Sequence, residues 1–288
     1  MCRYIVIPVT GTGTDEPVFA TALAVARVLP AHLEFLHVRV DVQSALAAMA
    51  SMDVGGGVGY GEMVESLERE VASRQTQAER AFHDLCERER LPVTADPTAA
   101  LPSAEWRVET GDEPAWLAEH GRAADLLVIG RAREGEDLAM DVLEAALMGT
   151  GRPVLIAPPK TPSRLFGTVA IAWKSGPEAA RAVAAAAPFL QMADQVVIFS
   201  VSEDARTDAQ ACERLRHALA WHNPKVSMRC LAQDGHPAVE SLLSAVAATN
   251  ADTLIMGGYG HSRLREVVFG GFTRRILSRA ELPVLMAH

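Results

Sequence analysis

The fold is decided by Asp252-Thr253-Leu254-Ile255-Met256-Gly257-Gly258-Tyr259-Gly260, which is followed by nine residues and then by Gly270-Gly271-Phe272-Thr273. A short apolar run ending in glycines, a loop, and a glycine pair before a helical pattern indicate a strand, an anion-binding loop and a helix N-terminus. Gly257 and Gly260 can adopt positive φ and present bare N–H groups as a concave nest. Gly270 and Gly271 add the first N–H groups and the dipole of the helix. The stretch therefore predicts a cradle for a di- or triphosphate.

Polar side chains in the same stretch extend the predicted cradle. Ser262 and Thr273 carry hydroxyl groups and Arg263 carries a guanidinium group. His261 is adjacent to Ser262, but neighbouring loop residues seldom share the geometry of a hydrolytic pair, so no catalytic residue is assigned. The alternative interpretation is that the glycines are ordinary turn residues or serve helix packing alone.

Composition limits the function classes. The chain has 288 residues, 49% of them hydrophobic and 22% charged, which favours two globular domains of about 140 residues. The net charge of −9 disfavours nucleic acid and anionic membrane surfaces as partners. The four cysteines form neither a zinc motif nor a secreted disulfide pattern, and no segment reads as a signal peptide or a membrane span. We therefore expect a cytoplasmic protein without a metal site.

An internal repeat divides the chain. Residues 124–130 return as 251–257, residues 151–157 as 281–287, and residues 111–115 as 234–238, always in the same order. This indicates a tandem duplication, with a first domain over residues 1–159 and a second over residues 165–288. Pro158, Pro159 and Pro162 mark the linker. Residues 41–62 have no counterpart in the second copy and read as a flexible insertion.

Each copy alternates strands and helices, which predicts an α/β fold with a parallel sheet, helices on both faces and right-handed crossovers. Ligands of such sheets bind beyond the carboxyl ends of the strands, and the 257–271 loop lies at that edge. The predicted strands are residues 4–9, 32–40, 104–109, 125–130 and 153–157, then 168–173, 196–201, 226–231, 252–257 and 283–285. The predicted helices are residues 16–29, 63–90, 114–121, a helix opening at Pro177, then 207–222 and 237–248.

The doubled unit resembles a tandem universal stress protein. The residues that carry the resemblance are Gly257-x-x-Gly260, nine further residues, Gly270, and the closing strand Pro283-Val284-Leu285. It covers nearly the whole chain except the insertion. It implies two tandem five-stranded parallel-sheet α/β sandwich domains, of the adenine nucleotide alpha-hydrolase-like or Rossmann-like type, packed as an intramolecular pseudo-dimer through their last strands. It also implies adenine-nucleotide binding where the glycine loop is kept.

Carried over by position, the phosphate-binding glycines of the family fall on Gly257, Gly260 and Gly270. Gly271 stands where the family usually has Ser or Thr, which removes one hydroxyl donor. The acidic residue that often follows the first strand is replaced by Lys174, which can attract phosphate but cannot accept a hydrogen bond as a carboxylate does. Trp173, at the end of that strand, can stack on adenine, although a core tryptophan is more common.

The first copy departs further from the pattern. Arg133 and Leu143 occupy its second and third glycine positions. Acidic residues fill the nest and would repel phosphate; these are Glu134, Glu136, Asp137 and Asp141. We therefore expect one site per chain, in the second half.

The expected function is a stress-response regulatory protein that binds an adenine nucleotide, ATP foremost, with or without Mg²⁺ and with little or no catalysis. The chain has no Gly-x-x-x-x-Gly-Lys-Ser/Thr, Gly-x-Gly-x-x-Gly or Gly-x-Ser-x-Gly motif in register. Two alternatives stay open: a nucleotide-independent scaffold for an unknown protein partner, with both sites empty, and a weak ATP hydrolase. Pairing of two chains into a homodimer of pseudo-dimers is a further expectation. The residues assigned to the site are Gly257, Gly258, Gly260, His261, Ser262, Arg263, Gly270, Gly271, Thr273, Trp173 and Lys174.

Overall fold

The structure is a computed structural model that describes residues 2–51, 60–131, 137–200, 205–231, 237–258 and 271–288. The first half contains β1 (Tyr4–Pro8), α1 (Asp15–Val28), β2 (His32–Arg39), α2 (Val42–Ser51), α3 (Tyr60–Glu89), β3 (Ser103–Thr110), α4 (Glu113–Ala123), β4 (Leu126–Ile129), α5 (Asp137–Gly149) and β5 (Val154–Ile156). The second half contains β6 (Thr168–Trp173), α6 (Pro177–Ala185), α7 (Ala187–Met192), β7 (Gln195–Ser200), α8 (Ala205–Ala220), β8 (Val226–Cys230), α9 (Ala238–Ala247), β9 (Thr253–Gly257), α10 (Gly271–Arg279) and β10 (Val284–Ala287).

All ten strands belong to one sheet, in the order β3-β2-β1-β4-β5-β10-β9-β6-β7-β8. The strands of each half pair in parallel with one another. The last strands of the two halves pair antiparallel, with Leu285 opposite Leu155. This arrangement confirms the predicted fold class, including the pseudo-dimer through the last strands. The domain limits 1–159 and 165–288 stay a prediction.

Continuous apolar strands place the central sheet between two layers of helices. Ile5, Val6 and Ile7 of β1 are all fully buried, as expected for a parallel strand that is covered on both faces. One core packs α1, α3, α6 and α7 against the sheet, and the other packs α4, α5, α9 and α10. Both cores run through the two halves. The carboxyl ends of the parallel strands are left at the edges, where the site was predicted.

Two elements differ from the sequence prediction. The predicted flexible insertion over residues 41–62 contains the regular helix α2, whose alanine-rich sequence has high helix propensity. The Asp41 carboxylate accepts hydrogen bonds from the Ser44 hydroxyl (2.7 Å) and the Gln43 amide (3.0 Å) at the start of this helix. The glycine-rich part of the insertion, residues 52–59, lies outside the described residues. The helix predicted from Pro177 is divided into α6 and α7 at Ala186, and α7 has a proline in its first turn.

None of the described helices is long and apolar enough to span a membrane.

Candidate functional site

The candidate site lies where the carboxyl ends of β6 and β9 meet. These neighbouring strands pair in parallel, with Ala172 opposite Met256. The chain leaves β6 toward β7 on one side, whereas β9 lies on the other, so the crevice between β6 and β9 is the topological switch point of the second half. Ligands of doubly wound sheets bind at such a point.

Gly257 is required at this point by close packing. A Cβ atom at Gly257 would lie 2.5 Å from the backbone nitrogen of Ala179 and 2.9 Å from its Cα atom. Gly257 ends β9 and is not one of the glycines with positive φ. The predicted nest with positive φ is therefore wrong at Gly257. The glycine instead lets the first turn of α6 approach the end of β9.

The approach of α6 brings a helix N-terminus to the switch point. Gly176 is the N-cap residue, with extended backbone, and Pro177 occupies the first turn. Within the described residues, no side chain caps this turn. The first amides of a helix have no intrahelical acceptor and lie at the positive end of the helix dipole. The first turn of α6 is therefore an anion-binding element that the sequence analysis did not identify; the Gly176-Pro177 pair was its signal.

Trp173 and Lys174 lie at the end of β6 beside this turn. Trp173 is partly buried against the core that includes α6 and α7, and its Nε1–H group is buried without a hydrogen-bond acceptor in the described part of the chain. A buried donor that stays unsatisfied costs about 1–3 kcal/mol, so the indole requires an acceptor from elsewhere. Lys174 is exposed. The structure thus brings both predicted residues to the crevice.

Gly258, Gly271 and Thr273 do not lie as open donors around one cradle. The Gly258 amide donates to the Ala287 carbonyl (2.9 Å), so it continues the pairing with β10 and is not available to an anion. The assignment of Gly258 as a ligand-binding donor is therefore corrected. Gly271 is exposed, with open space where a side chain would lie. Thr273 is buried in the first described turn of α10.

The other predicted site residues lie outside the described residues. They are Gly260, His261, Ser262, Arg263 and Gly270. Their assignment stays a prediction.

The first half contains a nest that the sequence analysis missed. After β1, the Asp15 carboxylate accepts hydrogen bonds from the Gly11 amide (2.8 Å), the Thr10 hydroxyl (2.7 Å) and the Thr10 amide (3.1 Å). Gly11 has φ +72°, and a Cβ atom there would lie 2.3 Å from the Arg74 carbonyl oxygen. Burial raises the pKa of Asp15, while these hydrogen bonds lower it. A carboxylate of the chain itself occupies the anion position of this loop.

A second carboxylate lies at the same edge. Burial, together with the charges of Asp15 and Asp112, raises the pKa of Glu113 to about 7. The acidic character predicted for the first copy is therefore present, but its residues differ. Asp137 and Asp141 belong to α5, and Leu143 is buried in the core; Glu134 and Glu136 lie outside the described residues.

No group of three metal-ligating side chains with the geometry of a metal site occurs among the described residues.

Comparison with known proteins gives consistent results. Residues 166–288 match the Universal stress protein family. Over 98% of its length the chain is 24% identical to the universal stress protein Slr1230 of Synechocystis, 99% of which is covered. A universal stress protein structure from Archaeoglobus fulgidus superposes with a TM-score of 0.68 at 15% identity, over 99% of this chain and 95% of that one. A functionally unknown protein from Pseudomonas aeruginosa PAO1 gives a TM-score of 0.58 at 14% identity, over 99% and 92%. The structural matches support the fold.

Proposed function

The chain belongs to the universal stress protein family through residues 166–288, and we propose that it is a stress-response protein that binds an adenine nucleotide in its second half. ATP, with or without Mg²⁺, is the foremost ligand. The observation that carries the proposal is the first turn of α6, which lies against Gly257 at the topological switch point. Because this turn has no capping side chain in the described part of the chain, its amides and dipole suit an anionic phosphate group.

The residues around this turn suit the other parts of a nucleotide. Lys174 is exposed at the end of β6 and adds a positive charge next to the amides. The buried Nε1–H group of Trp173 can donate to a ligand acceptor. The glycine loop, with Gly260 and Gly270, would enclose the phosphates from the β9 side. No catalytic residue is proposed, and the chain acts by binding.

A second candidate function is a nucleotide-independent scaffold for an unknown protein partner. It is favoured by the engagement of the Gly258 amide with Ala287, which removes one donor from the cradle. In this alternative the second-half site stays empty, and partner binding would involve the segment 41–62 or the acidic surface. A homodimer of pseudo-dimers is compatible with either function.

A thermal-shift titration separates the two functions. ATP, ADP, AMP and cyclic AMP are added to the intact chain with Mg²⁺, because a ligand that binds only the folded state stabilises it by about 2.7 kcal/mol at 100 times its Kd. The proposal predicts a saturable rise in Tm with at least one of them. The rise should be absent in Gly260→Asp, which places a carboxylate in the predicted cradle. No rise at millimolar nucleotide would favour the scaffold.

A further inference from the structure

Helix α4 of the first half docks on the sheet through titratable side chains. Glu113, Leu117 and His120 are spaced at i, i+4 and i+7, so they share one face of the helix. Leu117 is fully buried between the other two. Each of the two flanking residues meets carboxylates from other elements of the first half. This face, rather than the nucleotide site, is the subject of the inference.

His120 lies between two carboxylates. Its Nδ1 atom is 2.6 Å from Glu34 Oε1 of β2, and its Nε2 atom is 3.6 Å from Glu109 Oε1 of β3. The Glu34 side chain is only 4% exposed, and its other oxygen accepts a hydrogen bond from the Tyr4 hydroxyl of β1. Glu34 is therefore bonded as a carboxylate on both oxygens. An imidazolium at position 120 neutralises two carboxylates, whereas a neutral imidazole leaves them without that cation.

Glu113 at the other end of the face meets charges of its own sign. Asp15 of α1 and the neighbouring Asp112 both raise its pKa, and Arg74 of α3 opposes them. A neutral Glu113 suits this environment, whereas an ionised Glu113 adds a third negative charge to it. Rising pH therefore acts on both ends of α4 in the same direction: it adds a negative charge at Glu113 and removes a positive charge at His120.

The second half lacks this arrangement. The buried residues of α9, the corresponding helix, are Val239, Leu242 and Val246, which do not titrate. By strand register, the position of Glu34 in β2 is occupied by Val197 in β7. The titratable face is therefore a specific property of the first half and does not follow from the fold.

We propose that α4 is a pH-responsive element, docked on the sheet at mildly acidic pH and loosened at mildly alkaline pH. Its movement has a route to the rest of the molecule through α5. A Cβ atom at Gly121 would lie 2.6 Å from the Thr150 side chain, and Arg122 Nε donates to the Gly149 carbonyl (3.0 Å). Residues 149 and 150 lead into β5, which pairs with β10 of the second half.

Hydrogen exchange of the full chain tests this proposal, measured at about pH 6 and about pH 8 and corrected for the intrinsic pH dependence of exchange. In the wild-type protein, protection of the α4 amides falls by about tenfold or more across this range, the factor that corresponds to one unit of pKa. Protection of the central strands changes less. The Trp116 indole, which donates to the Thr110 carbonyl (3.1 Å), is a side-chain reporter on the same helix.

A pair of double variants assigns the effect. Glu113→Gln with His120→Gln removes both titrations and should give pH-independent protection of α4. Glu119→Gln with His83→Gln changes the same residue types at exposed positions on α4 and α3, and should behave as the wild type does. The proposal is overturned if the wild-type α4 shows no pH-dependent protection, a result that requires no variant. It is equally overturned if the dependence persists in Glu113→Gln with His120→Gln.

Discussion

Substitution of Gly257 by alanine tests the packing that positions α6. The added Cβ atom would lie 2.5 Å from Ala179 N and 2.8 Å from Glu178 C, and both are backbone atoms that cannot move by changing a rotamer. The first turn of α6 must therefore shift away from β9. Overpacking of this kind costs about 1–3 kcal/mol, and the upper half of the range applies because the clash is with backbone.

The loss is measured by urea denaturation of Gly257→Ala beside Gly271→Ala. At Gly271 the same Cβ atom meets open space in a helix, so alanine should be neutral or stabilise the protein by up to about 1 kcal/mol. We expect Gly257→Ala to unfold at lower urea with an unchanged m-value, and its Tm to fall by about 4–10 °C, since each kcal/mol shifts Tm by about 2–4 °C.

Gly257→Ala should also weaken nucleotide stabilisation, because the amides of α6 no longer lie at the switch point. If its free energy of unfolding is within about 0.5 kcal/mol of the wild type, the range of an ordinary surface substitution, the close-packing explanation of Gly257 is refuted.

Three further outcomes follow from charged or ionisable groups. Glu113 is more basic in the folded chain, with a pKa of about 7, than its ordinary value of 4.5, so its ionisation destabilises the fold as pH rises from the ordinary value to about 7 and by a constant amount above it. Glu113→Gln should therefore match wild-type stability near pH 4 and exceed it by about 1–3 kcal/mol at pH 8, measured by urea denaturation at both pH values. Arg131 donates to two carbonyls of the second half, so Arg131→Ala should lower the free energy of unfolding by about 1–3 kcal/mol in the same assay. Cys230 is exposed while burial raises the pKa of Cys86 to about 11, so a thiol reagent should label Cys230 at least about 100-fold faster in the folded protein, as followed by peptide mass spectrometry.

The sheet could be predicted from sequence because its strands are continuous apolar runs that recur in both copies. The strand predicted over residues 168–173 is β6 with the same limits, and the closing strand predicted at Pro283 is β10 within one residue. A parallel strand buried on both faces needs an unbroken apolar run, and such runs are visible without tertiary information. The repeat then indicated how many strands each half contains.

The site was less predictable because its geometry depends on contacts between distant segments. Gly257 is visible as a glycine, but its reason is the backbone of Ala179, which only the packed structure brings near it. The nest around Asp15 depends likewise on Gly11 lying against the Arg74 carbonyl of α3. Sequence patterns identify the residues capable of unusual backbone geometry, whereas packing decides what that geometry is used for.

Calorimetric titration of ATP into the full chain is the most direct test of the proposed nucleotide site. The account predicts one ATP bound per chain, because the second half offers the uncapped turn of α6 whereas Asp15 fills the loop of the first half. Gly260→Asp should abolish binding. Gly13→Asp, which adds the same charge at an exposed glycine of the first half with open space around it, should leave binding intact. Absence of binding heat at millimolar ATP, or binding that survives in Gly260→Asp, would contradict the account.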